Sequence, residues 1–568
     1  MRSPLNRGAP AARPGPAAPV PPTAETPSLM TRLRRDALRS FAASPFYRHT
    51  LIGRVPTDLR LRVGERWPGD AKRGATILSG EISLAGQVVR NPVPVWFPPE
   101  AGSAWLAAWH DFSWVADILS VGGGAKDAVR ALVQSWLTDN TSWHPIAWRA
   151  DVLATRIYTW IVHFDEIASR EADRLLRRAM LVSLTGQLRH LARIAAWEVG
   201  GPARLRALKG LIAGLVVFGS AEKRVMRALR AVERELPAQI FPDGGHRSRN
   251  PSVQLDVLRD LVDTRAALRA GKVEIPSALQ DAIDRMAPML RFFRHGDRKL
   301  ALFNNSIEED GILVDLVLTR TETKGRAPTQ APQSGFQRIQ AGHSLVLVDT
   351  GKSPAEGFDE AAHAGPLSFE MSQGRERIIV NCGGYRGTQR AWRQVARSSA
   401  AHSVLVVGDT NAIEINDDGT MGKGPPTLRC ERAEEDGHQW IAASHDRQRY
   451  GLVYARELYL APDGEDLRGE DKLTGGRSGT EFVVRFHLHP SVEPRLVQDG
   501  TAVVLRLPSG LTWRLRATGA ELSLAESIYL GSGELKKTQQ VVLTGTIGAN
   551  GASVRWAIRR EGRVPGEL

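Results

Sequence analysis

Apolar residues recur at helical spacing from about residue 125 to 295, in DAVRALVQSWL, WRADVLATRIYTWIVHF, EADRLLRRAMLVSLTGQLRHLARIAAW, ARLRALKGLIAGLVVFG and EKRVMRALRAVERELPAQI. Breaks such as GGPARLR and FPDGGHRS predict long helices joined by short turns, the pattern of antiparallel hairpins stacked into a bundle or toroid, with no strict sequence repeat. Beyond about residue 320 the period falls to two, in SLVLVDTG, RIIVNCG, SVLVVGD, FVVRFHLHP, AVVLRLPSGLTWRLRATG, QQVVLTGTIG and SVRWAIRR. Strands without intervening helices predict antiparallel sheets packed as a sandwich. RTETKGRAPTQAPQSG at 320–335 has linker composition, and residues 80–120, rich in Trp, Gly and Pro, predict irregular structure. The expected fold class is multidomain α+β: a disordered Pro/Ala-rich tail and leader helix over 1–45, a helical toroid over 46–320 and a β-sandwich over 321–568.

Charge narrows the partners. The 568 residues carry 75 Lys+Arg against 62 Asp+Glu, a formal +13, which favours nucleic acid, an acidic polysaccharide or an anionic surface without choosing among them. A solvated basic surface accounts for the same excess. Cys382 and Cys430 are the only cysteines, which excludes a disulfide framework and a Cys-rich zinc site. The first residues lack the apolar run of a secretory signal, and LIAGLVVFG at 211–219 falls far short of the roughly 20 residues of a membrane span, so a soluble protein is expected.

Three stretches carry a resemblance: FPDGGHRSRNPSVQLDVLRDL at 241–261, AHAGPLSFEMSQGRERIIVNCGG at 362–384 and SSAAHSVLVV at 398–407. In this order, and over roughly residues 130–560, the chain resembles heparinase II/III-like proteins. The resemblance implies an (α/α) toroid bearing an Asn-His pair and a Tyr, and a sandwich bearing a His and a metal, commonly held by two His and an Asp. It implies a carbon–oxygen lyase that cleaves an acidic, uronate-containing polysaccharide by β-elimination: a base takes the proton beside the carboxylate, a donor neutralises the carboxylate, and an acid protonates the leaving oxygen. It further implies a place in the cell envelope or periplasm, with the cytoplasm left open by the missing signal. Nucleic acid is not an expected partner, and the oligomeric state is not set.

Several family positions are substituted. In GGPARLRALKGLIAG, Gly201 and Pro202 stand where the Asn-His pair is expected, and in SRNPSVQ, Val253 and Gln254 replace the Tyr-His. Nearby, His246 is the candidate proton-transfer residue, while Arg247, Arg249 and Asn250 are candidates for binding an acidic sugar. Equally, Asp243, Gly244 and Gly245 form a turn and Asn250 caps the helix that starts at Pro251. Tyr158, on the helix containing TRIYTW, is a substitute acid. In AAHAGPLSF, Ala361 takes the place of the usual catalytic His, His363 keeps the second His, and Gly365 replaces the Asp. His363, Asn381 and His402 are then the candidate zinc ligands, a weaker donor set than two His and an Asp. Buried, hydrogen-bonded histidines are the alternative.

Other features are less specific. FNNSIEEDG at 303–311 offers Asn304, Asn305, Glu308, Glu309 and Asp310, and paired carboxylates would suit glycoside hydrolysis. His445, His487 and His489 lie on strands, and Trp143, Trp148 and Trp160 could stack on sugars or fill a core. Two further readings therefore stand beside the lyase: a catalytically divergent glycan-binding protein of the same fold, and a toroid glycoside hydrolase.

Overall fold

The computed structural model describes residues 29–63, 66–90, 95–169, 173–447, 451–497 and 499–562; the expected N-terminal tail up to residue 28 lies outside them. The chain divides into two compact units, each with its own architecture.

The helical unit comprises Glu25–Gln239 and Asp256–Asp284. It contains α1 (Leu29–Ala42), α2 (Ala71–Leu78), a hairpin of β1 (Glu81–Leu84) and β2 (Gln87–Arg90), α3 (Ser103–His110), α4 (Val115–Val121), α5 (Ala125–Asp139), α6 (Ala150–Val162), α7 (Phe164–Ile167), α8 (Arg174–Ile194), α9 (Gly201–Val217) and α10 (Glu222–Gln239). Most of α11 (Pro251–Ala270) and the first half of α12 (Ser277–Phe292) complete it. The predicted periodicity is visible in α10, where Val225, Ala228, Leu229, Val232 and Leu236 are the buried stripe. Helix α9 instead buries nearly its whole circumference and packs on α6. Gly210 permits that approach, because a Cβ there would lie 2.5 Å from the Ala154 carbonyl oxygen.

Residues 80–90 and 95–120 form regular elements, contrary to the irregular segment expected. Beside the hairpin, α3 delivers Trp105 and Trp109, and Trp114 at the N-cap of α4 joins them in a core completed by Phe112, Trp136 and Trp160. Trp109 and Trp114 stack at 4.7 Å, and Trp160 meets Trp136 edge-on at 5.4 Å. Trp148 and Trp160 are buried, which makes them core residues; Trp143 is half-buried.

The second unit comprises Ile240–Leu255 and Arg285 onward, and includes α13 (Gly311–Arg320) and α14 (Arg390–Arg397). Among the described residues one sheet runs β17 (Glu521–Tyr529), β18 (Lys536–Thr546), β13 (Glu481–Leu488), β7 (Glu376–Val380), β6 (Phe369–Gln373), β5 (Ser344–Asp349), β4 (Phe336–Ala341) and β3 (Gln330–Ala331), with β8 (Leu405–Val407) also on β13. The other runs β14 (Glu493–Val497), β15 (Ala502–Arg506), β16 (Thr512–Thr518), β19 (Ala552–Arg560), β12 (Asp466–Gly475), β11 (Leu452–Leu460), β10 (His438–Arg447) and β9 (Leu428–Glu435). Their pairings are antiparallel, as the period-two pattern predicts. One apolar core joins both sheets, with Phe369 of β6 stacked on Trp556 of β19 at 5.7 Å. Gly469, directly opposite Trp556, leaves the indole its space.

Strand β11 alternates buried and more exposed positions, and Arg456 occupies an inward one. It is neutralised by Asp471 of β12, at 2.7 Å, and also donates to the carbonyls of Leu367 and Ser403. Tyr454 and Trp556 donate to the same carboxylate. A buried charge survives here because Asp471 neutralises it and four of its five N–H groups find acceptors.

Candidate functional site

The segment preceding α11 folds as a tight turn. Gly244 has φ +88°, and a Cβ there would lie 2.0 Å from the Arg285 carbonyl oxygen, so only glycine fits. Asp243 accepts hydrogen bonds from the Gly245 and Ser334 amides and the Ser334 hydroxyl. Gln254, standing where the family's aromatic-histidine pair is expected, staples the turn: its Oε1 accepts from the His246 amide at 2.7 Å, and its Nε2 donates to the carbonyls of Gly244 and Met286.

His246 is buried inside this turn. Its Nδ1 accepts the Ser248 amide at 3.1 Å and meets the Ser248 hydroxyl at 2.8 Å, which places the ring proton on Nε2. Burial, reinforced by the Arg247 charge, pushes its pKa down to about 3. Near neutral pH the ring is an uncharged, weakly basic group. Arg247 is half-buried and lies over the Phe241 ring at 4.7 Å.

Arg249 and Asn250 are committed to structure. Arg249 has φ +54° and is buried; it donates to the carbonyls of Ser334, Lys352 and Gly335 and pairs with Asp349. Asn250 caps α11, its Oδ1 accepting from the Ser252 and Val253 amides, while its Nδ2 donates to the Asn304 carbonyl. Asn250→Ala is expected to cost about 1–2 kcal/mol of stability, read as a lowered denaturation midpoint, whereas Asn250→Asp keeps the cap and most of the stability.

Asn304 draws these residues toward the sandwich histidines. Its Nδ2 donates to the Arg249 carbonyl at 3.0 Å, and its Oδ1 accepts from the His363 amide at 3.1 Å. His402 Nδ1 lies 2.7 Å from the Ser398 carbonyl, which can only accept, so that nitrogen carries the proton. With burial pushing the His402 pKa down to about 4, its Nε2 is an acceptor, and His363 Nδ1 donates to it at 2.9 Å. His363 Nε2 is left as a buried lone pair with no hydrogen-bond partner among the described residues. Gly365 explains the geometry: a Cβ there would fall 2.7 Å from the His402 ring, so the ring fills space that an aspartate side chain would need.

These residues do not fit a zinc centre. His402 Nε2 is already used by His363; Asn381 is neutral, with its Oδ1 accepting from the Ser403 amide and its Nδ2 facing Glu370 at 3.5 Å. Among the described residues no cluster of three or more His, Cys, Asp or Glu has metal-binding geometry. Cys382 is buried, its thiol pushed up to about 12 by burial. Tyr158 belongs to the helical unit, where it is buried under Lys209; that ammonium lies 4.6 Å from the ring and donates to Asp260 and Asp263. The other seven candidates belong to the sandwich-bearing unit.

The remaining candidates separate as well. Glu308 accepts from Lys299 and Tyr529 and faces His489 at 3.5 Å. Burial opposes its charge, but His489, Arg377, Lys299 and Tyr529 together hold its carboxyl well below the usual range. Asp310 caps α13, and Glu309 faces Arg386 at 3.8 Å. His487 contacts Ser527 and the Ala400 carbonyl rather than sharing a ligand site with His489. His445 is buried on β10. At the expected Asn-His position, Gly201 has φ +53° and Pro202 opens α9, with Gln239 Nε2 donating to the Gly201 carbonyl.

A helical unit followed by an antiparallel sandwich is the toroid-plus-sandwich fold of the heparinases. The chain belongs to the heparinase II/III-like family: residues 323–557 match the heparinase II/III-like C-terminal family, and the whole chain is similar to FtsZ-localized protein C of Caulobacter vibrioides, 30% identical over 89% of this chain and 91% of that protein. The fold matches heparinase III with a TM-score of 0.68 at 13% identity, over 95% of this chain and 93% of that one. It also matches the heparan sulfate lyase HepC of Pedobacter heparinus with a TM-score of 0.59 at 14% identity, over 94% and 90%. Among the described residues no helix is long and apolar enough to cross a membrane.

Proposed function

We propose that this protein is a non-catalytic binding protein built on a polysaccharide-lyase fold, acting in association with FtsZ assemblies. The observation that carries this reading is the chemistry at the family's reactive positions. Gly201, Pro202, Val253 and Ala361 offer no acid, base or carboxylate clamp. Of the groups nearby, His246 is neutral and hydrogen-bonded, while Arg249 and Asn250 are consumed by the fold. The association with FtsZ rests on the name of the 30%-identical relative, whose similarity spans both units.

The second reading is β-elimination on an acidic polysaccharide. It is favoured by the fold likeness to heparin and heparan sulfate lyases, and by Arg247, a half-exposed guanidinium next to His246. Incubation of the purified chain with heparan sulfate, chondroitin sulfate and polygalacturonate, followed by ultraviolet absorbance of unsaturated uronate, separates the two. We expect no product from any polymer and co-sedimentation of the protein with FtsZ polymers. Product that disappears in His246→Ala would instead establish a lyase with relocated catalytic groups, and absence from the FtsZ pellet would remove the assigned partner.

A further inference from the structure

The helical unit contains a cavity of about 950 Å³, at the upper end of the range for ligand sites. It lies among the 54–60 strap, α8, α9 and the first turns of α10. Arg54, Arg60, Arg189, Arg193, Arg224 and Arg227 line it. Its single lining carboxylate, Asp58, is engaged by Arg62 and Arg177.

The acceptors that hold these arginines are neutral. Arg189 donates to the carbonyls of Leu51 and Arg54, Arg193 to the hydroxyl and carbonyl of Thr50, and Arg60 to the Gly219 carbonyl. Among the described residues none of the six is ion-paired with a carboxylate. Burial, with the nearby charges of Arg224 and Arg193, depresses the Arg189 pKa, as expected where like charges are neighbours. The floor is aliphatic: Leu188, Leu208, Leu211 and Leu215 are buried beneath the ring of charge.

We propose that this arginine-ringed cavity binds an acidic peptide segment, with carboxylates on the arginine rim and leucine-like side chains seated on the aliphatic floor. Phe218 is the one aromatic ring in the lining and the rest of the apolar surface is aliphatic, so the cavity suits apolar side chains better than a glycan. The cations stand on three separate elements rather than converging on one point. That distribution matches several carboxylates spaced along a chain better than a single phosphate headgroup. The site uses no residue of the sandwich and is independent of whether the chain cleaves polysaccharide.

The test is fluorescence anisotropy of the full chain with a labelled synthetic peptide that carries leucines on one helical face and glutamates on the other. Saturable binding that weakens with salt is expected, with an affinity loss of at least about tenfold in the double variant Arg224→Glu, Arg227→Glu. Both arginines are exposed on α10, and an unchanged circular dichroism spectrum verifies that the variant folds. The lysine-for-glutamate peptide should not bind. The proposal is overturned if the acidic peptide fails to bind or binds the double variant equally. It is also overturned if only phosphatidylglycerol vesicles are retained, and the double variant releases them, because the surface would then face a membrane.

Discussion

Arg249→Met is expected to destabilise the sandwich-bearing unit by about 3–5 kcal/mol, the usual cost of stripping one partner from a buried ion pair. The substitution leaves Asp349 without its guanidinium and removes donors from the carbonyls of Ser334, Gly335 and Lys352. Burial already pushes the Asp349 carboxyl up and the Arg249 charge opposes it, so removing the arginine raises it further. Asp349→Asn in the same chain should therefore restore part of the loss, and a double-mutant cycle in guanidinium chloride measures the coupling. A substrate-binding Arg249 would behave differently, leaving the denaturation midpoint in place and weakening only glycan affinity. An unmoved midpoint in Arg249→Met would sink the structural assignment.

The second large effect is acid lability. His246 and His487 have pKa values of about 3 and His402 about 4, each lowered chiefly by burial, while an unfolded histidine titrates near 6.5. Above pH 6.5 the unfolded chain gains no advantage from protonating these rings. As pH falls toward their folded pKa values the unfolded state binds more protons than the native state, and stability declines. At about pH 5 each ring should contribute roughly 2 kcal/mol to that decline, or about 6 kcal/mol for the three, against a typical total of about 5–15 kcal/mol. Denaturant midpoints should drop steeply between about pH 7 and pH 5, and His246→Gln should flatten part of the slope. A midpoint that stays level over this interval would mean that these rings are not buried as neutral imidazoles.

Much of the fold was legible because its signals are periodic. The buried stripe of α10 and the alternation of β19 follow directly from sequence spacing. The Trp-rich stretch was not legible: α3 and α4 are short, and Phe112, in the turn between them, meets Trp136 of α5 and Trp160 of α6, a contact that no local spacing carries. At the site, Asn-Pro at 250–251 announced a helix cap, and the cap is there. The meeting of His363 with His402 depends on the space left by Gly365, a tertiary fact that no local pattern carries. Asn304 joins Arg249, Asn250 and His363 from a left-handed backbone position, with φ +48°, which spacing cannot reveal. The cavity arginines lie far apart in sequence, so no window contains the cluster.

The start of α9 has an evolutionary consequence. Pro202 pre-sets the backbone of the first turn, and Gly201 occupies a conformation that costs most side chains energy. Replacing Pro202 would cost up to about 1 kcal/mol, and Gly201 could give way only to the few side chains, Asn first among them, that tolerate its backbone. No catalytic gain would offset that until reactive side chains also reappeared at Val253 and Ala361. On the non-catalytic reading proposed above, selection would meet losses before any reward, so this helix start works as a ratchet that keeps the fold while the route back to lyase chemistry closes.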